Sequence, residues 1–501
     1  MITPIKKLSE INDIEDFSLT YGHFNTIHPG HIRYLKYAKS LTGFLVIAII
    51  GDIKLENTPK FKFSQKERSE ALAMFEIADL IINLENQELH NVVQKLGPRY
   101  LVLGKEKELP DNAEIEIKKA INFQNENGRL VKFEAGEVNY ASTDLLSTPE
   151  FELIEKRRTE FKIACQRQNI DKDILINALE KWQSTKMIVV GDIIVDQYAA
   201  CEALGLSAEA PVVVVKELEQ KNFIGGVGIV ASHIRSLGAK CDLHSVIGDD
   251  ENKKFVLDVI NSSKIGNFII KDKSRPTTFK KRYLVENQKL FRVSRLEDKF
   301  INKEIENKIL ENIEYCAKDS HGIIISDFVY GVVTENLISS IYQIAKKYNL
   351  KIIADLQCSS QIGSVAKFKS FSLLCPNERE ARIALQDKST SLESLSQNLL
   401  KITKAEKLIM KLGASGFIAY ETNDIGECLS QSFPALSVNP LDVSGAGDSL
   451  LAVMSIGLAS GQPMMVSAAL SACMAGLSVQ TMGNTPIKLD SLRKNIIEIF
   501  K

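Results

Sequence analysis

Two short stretches of the chain combine residue types and spacings suited to phosphate chemistry. In the first, Tyr21-Gly22-His23-Phe24-Asn25-Thr26-Ile27-His28-Pro29-Gly30-His31, three of the chain's seven histidines fall within nine residues. The stretch follows a strand-like run and opens a helical one, where free backbone N–H groups and the helix dipole favour an anion. His28 and His31 can both turn ring N–H donors toward phosphates, stabilising charge that builds on an α-phosphate and a departing pyrophosphate. Gly30 allows a nucleotide close to the backbone. A substrate phosphate is nucleophile enough for such a reaction, so positioning and electrostatics carry it. An HxxH zinc pair is the competing reading, but no Cys or Glu is spaced to complete it.

The second stretch is Asp442-Val443-Ser444-Gly445-Ala446-Gly447-Asp448, followed by the apolar helical run Ser449 to Ala459. A glycine-rich turn feeding a helix N-terminus forms an anion hole. The N–H groups of Gly445, Ala446 and Gly447 would face charge on a transferring γ-phosphoryl group, and Asp448 is placed to take a proton from an attacking hydroxyl.

Both turns require βα scaffolds, and the hydrophobic pattern supplies two. Strand-like runs at Phe17 to Tyr21, Phe44 to Ile50, Leu80 to Asn83, Tyr100 to Leu103 and Leu130 to Phe133 alternate with helical ones, which predicts a Rossmann-like parallel sheet closing near residue 147. Residues 148–186, charged and free of glycine, read as a helical connector. The rhythm restarts at Met187 to Val190 and continues through Gly322 to Ser326, Lys351 to Ala354 and Lys407 to Lys411. That predicts a second α/β domain over 187–501. Pro211 to Glu217 and Thr278 to Leu284 are β-prone without a following helix, which suggests a small β-sheet lid.

At 501 residues the chain exceeds a single core, and 45% apolar with 25% charged residues is ordinary globular composition. Sixty-two basic against sixty-three acidic residues give no global field for nucleic acid or an anionic membrane. Apolar runs stop at strand length, so no membrane span is expected. All eight cysteines lie beyond residue 164 without a CxxC pair, as expected of reduced thiols in a cytoplasmic protein.

The first motif resembles the cytidylyltransferase-like superfamily, and most closely the nucleotidyltransferase half of bacterial bifunctional heptose phosphate kinase/nucleotidyltransferases. The resemblance extends to Gln65-Lys66-Glu67-Arg68 and Ala141-Ser142-Thr143-Asp144. It implies a nucleotide site of Gly22, Phe24, Asn25, Gly30, Arg68, Gly104, Lys105, Ser142 and Thr143, taking ATP or CTP. Asn25, where an aspartate is commoner, and Leu103-Gly104-Lys105, where a Lys-Gly pair is usual, depart from the pattern.

The second motif is similar to the DTxGAGD signature of ribokinase-type (PfkB) kinases. Gly225-Gly226 resembles that family's double glycine, Asn377-Glu378-Arg379-Glu380 its NxxE motif, and Lys411-Leu412-Gly413-Ala414-Ser415-Gly416 its nucleotide-side loop. The resemblance implies a ribokinase-like fold with a lid. It places Asp442, Gly445, Ala446, Gly447, Asn377, Glu380, Gly413 and Gly416 at ATP, and Mg²⁺ held indirectly by Glu380. Asp192, Asp196, Gly225 and Gly226 would sit at the sugar, and Arg275, Lys280 and Arg282 are candidates to grip a sugar phosphate. Small-molecule sugar phosphates and nucleotides are the implied partners, with homodimerisation through the lid as in similar kinases.

Three positions depart from that resemblance. Ile229 stands where an asparagine bonds the sugar, and Tyr330 and Gln357 replace lysines. Each lost polar contact is worth roughly 1 to 3 kcal/mol, enough together to change acceptor preference. The order of the two halves is also reversed. A bifunctional nucleotide-sugar enzyme is the leading expectation, against a nucleotidyltransferase using CTP with an alditol phosphate, fused to a weak sugar-binding module.

Overall fold

The computed structural model describes all residues except 1–2, 12–13, 25–26, 28, 53–62, 86–87, 105–106, 108–114, 135–149, 211, 287, 359–360, 389 and 423–427. The chain divides into two compact units, residues 1–146 with 387–397, and residues 147–386 with 398–501.

In the N-terminal unit six strands, β1 (Ile5–Lys7), β2 (Ser18–Gly22), β3 (Leu45–Ile49), β4 (Leu80–Asn83), β5 (Tyr100–Gly104) and β6 (Leu130–Glu134), form a parallel sheet in the order β1-β4-β3-β2-β5-β6. Strand β3 shows why the sheet must be covered on both faces. Val46 and Ala48 join one hydrophobic cluster with Leu19 and Leu101, whereas Leu45, Ile47 and Ile49 join another with Leu35 and Val102. The strand order reverses between β2 and β5, and α/β sheets commonly bind ligands beyond the carboxyl ends at such a point. Gly22 and Gly104 end those two strands.

The larger unit is built on a nine-stranded sheet. Its members are β7 (Lys186–Gly191), β10 (Lys240–Ile247), β11 (Gly266–Lys271), β14 (Gly322–Asp327), β15 (Lys351–Leu356), β16 (Leu373–Leu374), β17 (Lys407–Lys411), β18 (Phe417–Thr422) and β19 (Cys428–Phe433). The order is β11-β10-β7-β14-β15-β16-β17-β18-β19, parallel up to β17 and antiparallel beyond it. A separate four-stranded sheet, β13-β12-β8-β9, is formed by β8 (Ile193–Leu206), β9 (Val213–Gly226), β12 (Thr278–Val285) and β13 (Gln288–Arg295). It contains both β-prone segments that suggested a lid.

The segment read as a helical connector carries helices Glu150–Arg167 and Lys172–Glu180, which bury Phe161, Cys165, Leu175 and Leu179, together with Trp182, in the core of the second unit. The apolar stripe is sparse in a charged sequence, and only the surface it meets reveals it. None of the described helices is long and apolar enough to cross a membrane.

Candidate functional site

In the second unit, the glycine turn and Asp448 face one cavity of about 640 Å³, lined also by Gln357, Asn377, Glu380, Lys411, Gly413 and Gly416. Helix Ala446–Ala459 begins at Ala446, with Gly445 in the left-handed region at φ +81° and no side-chain cap on the first turn. The turn therefore keeps backbone N–H groups available to an anion. A Cβ on Gly445 would lie 2.3 Å from Asn484 Oδ1, so glycine is required for space as well as conformation.

Asp448 is buried, with the charges of Asp355, Lys411 and Asp196 acting on it. Burial and the nearby Asp355 carboxylate push its pKa up to about 7, against the opposing pull of Lys411 and of a 2.7 Å hydrogen bond from Gln357 Nε2 to Oδ1. A carboxylate poised near neutrality suits a general base. Lys411 pairs with Asp355 at 2.7 Å. Burial also raises the Asp355 and Glu380 carboxyls, with Lys411 opposing both.

Asn377 caps helix Glu378–Leu385 in a reciprocal capping box. Its side chain accepts from Glu380 N at 2.8 Å and Glu380 Oε2 accepts from Asn377 N at 2.8 Å. Glu380 Oε1 accepts from Cys358 N at 3.3 Å, which fixes the carboxylate at the cavity wall. No cluster of three or more metal-ligating side chains occurs among the described residues.

Asp442 ties the turn to the lid. Its carboxylate accepts from Tyr198 at 2.6 Å, Lys289 at 2.7 Å, Ser444 N at 3.0 Å and Gly483 N at 3.1 Å. Burial would raise its pKa, but the Lys289 and Tyr198 contacts outweigh it and hold the group at about 2.

Near the end of the lid strands, Asp196 pairs with Arg282 and accepts from Asn484 Nδ2 at 3.1 Å. A Cβ on Gly225 would meet Asp196 Oδ2 at 2.4 Å, and one on Gly226, at φ +60°, would meet Asp192 O at 2.1 Å. The double glycine thus lets the end of β9 lie against both aspartates. Lys280 is buried with its ammonium 5.3 Å and 5.0 Å from the Phe328 and Tyr330 ring centroids.

Several of the candidate residues have protein partners in the structure. Arg275 is buried, bound to Asp272 at 3.1 Å, to Tyr330 O at 3.1 Å and to Lys299 O at 2.6 Å, so its guanidinium braces loops and is not presented to a phosphate. The Asp192 carboxylate accepts from the N–H groups of Phe328, Tyr330 and Val332, at 2.9 to 3.3 Å, and so anchors that loop. Ile229 is buried in the core, leaving Asn484 to bring an amide to Asp196. Sequence reasoning missed Asn484, Lys289 and Tyr198, which approach from distant segments with no motif.

In the N-terminal unit, helix Pro29–Ser40 begins just beyond β2 and carries Gly30 and His31 in its first turn. Phe24, at φ +49°, packs its ring 5.4 Å from that of His31. Arg68, expected at the nucleotide, is instead buried: it donates to His23 O, to Ile50 O at 2.9 Å and to Asp52 at 2.7 Å. It clamps the loop that leads into the histidine motif. Asn25, His28, Lys105, Ser142 and Thr143 lie outside the described residues.

A nine-stranded α/β body, a four-stranded lid and a glycine turn carrying a buried carboxylate define the ribokinase-like class of fold. Residues 184–490 match the family model described as pfkB family carbohydrate kinase, and the chain belongs to that family. Residues 19–232 match the model described as cytidylyltransferase-like. Several relatives carry the name "Bifunctional protein HldE". That of Campylobacter jejuni subsp. doylei is 29% identical over 62% of this chain and 64% of its own length, and that of Geobacter sulfurreducens 30% identical over 60% of each. The chain thus spans just under two thirds of the length of the curated relatives it matches. Among solved structures, phosphofructokinase-2 from Escherichia coli in complex with potassium aligns with a TM-score of 0.53 at 14% identity, covering 63% of this chain and 99% of that one. Its tetrameric inhibited form aligns at 0.51 and 15%, over 63% and 99%. At that identity the likeness concerns the fold alone.

Proposed function

We propose that the chain is a bifunctional transferase of nucleotide-sugar synthesis. The C-terminal half transfers the γ-phosphoryl group of ATP to a hydroxyl of a sugar phosphate, and the N-terminal half couples a sugar 1-phosphate to a nucleotide. The best single substrate assignment is D-glycero-D-manno-heptose 7-phosphate, with ADP-heptose as the final product.

The observation that carries the kinase reading is the Asp448 carboxylate, raised to about 7, in the same cavity as the uncapped glycine turn. Asp448 accepts the proton of the acceptor hydroxyl as its oxygen attacks the γ-phosphorus and the bond to ADP breaks. The N–H groups after Gly445 stabilise charge on the transferring group. Glu380 and Asn377 would hold the water shell of Mg²⁺, which supplies neutralisation of the phosphate charge when bound.

The acceptor's own phosphate has cationic partners at the lid. Lys280 and Arg282 alternate on β12, so both project to one face, and their register neighbours Asp196 and Tyr198 on β8 share it. In the N-terminal half, His28 and His31 of the histidine motif activate the α-phosphate, and ATP or CTP is the donor. Exposed Leu290, Phe291 and Val293 on β13 and Leu204 and Leu206 on β8 favour pairing of two lids in a homodimer.

The test is a turnover screen of purified protein with ATP and CTP against sugar phosphates, alongside Asp448→Asn and His28→Ala. Each variant should abolish one activity and spare the other. No phosphoryl transfer by the wild type to any acceptor would leave a sugar-binding module in place of a kinase.

A further inference from the structure

We propose that Gln357 is a positioning residue of the phosphoryl-transfer site, which orients the Asp448 carboxylate and sets the pH at which it accepts a proton. The inference rests on the kinase reading above and deepens it.

Gln357 follows the end of β15, where its backbone N–H donates to Asp327 O at 2.8 Å and so fixes the start of its side chain. Its amide nitrogen donates to Asp448 Oδ1 at 2.7 Å and lies 3.3 Å from Asp355 Oδ2. Two carboxylates on that side leave only one sensible amide orientation, with the NH₂ group toward them. Asp355 Oδ1 in turn accepts from Lys411 Nζ at 2.7 Å. The row Lys411, Asp355, Gln357, Asp448 therefore alternates donor and acceptor, and it ends at the cavity that the glycine turn lines.

Two consequences follow. With Oδ1 held by the amide, Oδ2 is the oxygen left to take the hydroxyl proton. An N–H bond to the ionised form stabilises that form, so Gln357 offsets part of the upward push from burial and from Asp355. Without it, the base would be protonated over more of the neutral range.

The experiment compares the pH dependence of kcat/KM for ADP formation in wild type, Gln357→Leu and Gln357→Lys, with folding checked by fluorescence of the buried Trp182. Loss of the donor in Gln357→Leu should move the acid limb up by about one pH unit, and the ammonium of Gln357→Lys should move it down. A residue that only fills space would lower the plateau and leave the limb in place in both variants, and that result overturns the proposal. The same order of midpoints should be read without turnover from the ¹³C carboxyl signal that Asp448→Asn removes. Should the wild type transfer no phosphoryl group, the kinase reading fails, while that carboxyl titration still decides whether Gln357 governs Asp448.

Discussion

The second unit should be destabilised by acid through His244, and the effect can be isolated with one substitution. His244 lies on β10, fully buried, with its ring stacked on Phe268 at 4.8 Å and neither ring nitrogen hydrogen-bonded among the described residues. Burial, reinforced by Lys186, depresses its pKa to about 3. The unfolded chain, at about 6.5, therefore binds the proton first. The stability His244 contributes is fully present above pH 6.5 and is lost as pH falls toward 3. Between pH 6.5 and 5 the loss is ~2 kcal/mol, from 1.36 kcal/mol per pH unit. His233, also depressed to about 3 by burial, adds a comparable loss. Asp448 and Asp192 run the other way. Their folded pKa values, about 7 and about 6, exceed the unfolded ones, so their stabilisation is present at low pH and disappears as pH rises through those values. The net slope mixes both signs, and the informative quantity is a difference. Urea unfolding followed by Trp182, the single tryptophan, should show His244→Phe gaining ~2 kcal/mol on wild type between pH 6.5 and 5. A constant difference across that range would refute the argument.

Gly445→Ala forces a methyl to 2.3 Å from Asn484 Oδ1 and a side chain into φ +81°; phosphoryl transfer should fall about a hundredfold, as expected when an oxyanion donor is misplaced, with nucleotidyl transfer unchanged. Lys289→Met removes one of four donors to the buried Asp442 carboxylate and should cost ~2 kcal/mol. That would appear as about a thirtyfold loss in kcat/KM for the acceptor, and an unaltered value would show that the lid contact is incidental. Arg157 donates to Ala435 O at 2.8 Å and Ser437 O at 2.7 Å in the cavity wall. Arg157→Met should raise KM for ATP about tenfold with kcat nearly constant, measured by steady-state titration of ATP.

Much of this protein was legible in sequence because the decisive signals are local. A glycine turn feeds an uncapped helix start, a capping box spans four residues, and β3 declares its two buried faces by a continuous apolar run. These follow from backbone hydrogen bonding and side-chain periodicity within a dozen residues, so Asp442 to Asp448 and the strand rhythm could be read directly, whereas Asn377 to Glu380 stood out by family resemblance. Only tertiary structure decided which partners those residues meet. Burial and Asp355 raise Asp448 to about 7 against the opposing pull of Lys411 and Gln357, all of which lie at or near the ends of other strands, and Asp442 is held by Lys289 and Tyr198 of the lid. Arg275 and Arg68 look like free cations in sequence, yet backbone carbonyls from distant loops take up their guanidinium groups. The helices of residues 150–180 likewise look like a charged connector until their sparse apolar residues meet the core. The physical reason is common to all three: charge and burial depend on what approaches through space, and a residue's neighbours in sequence do not specify that.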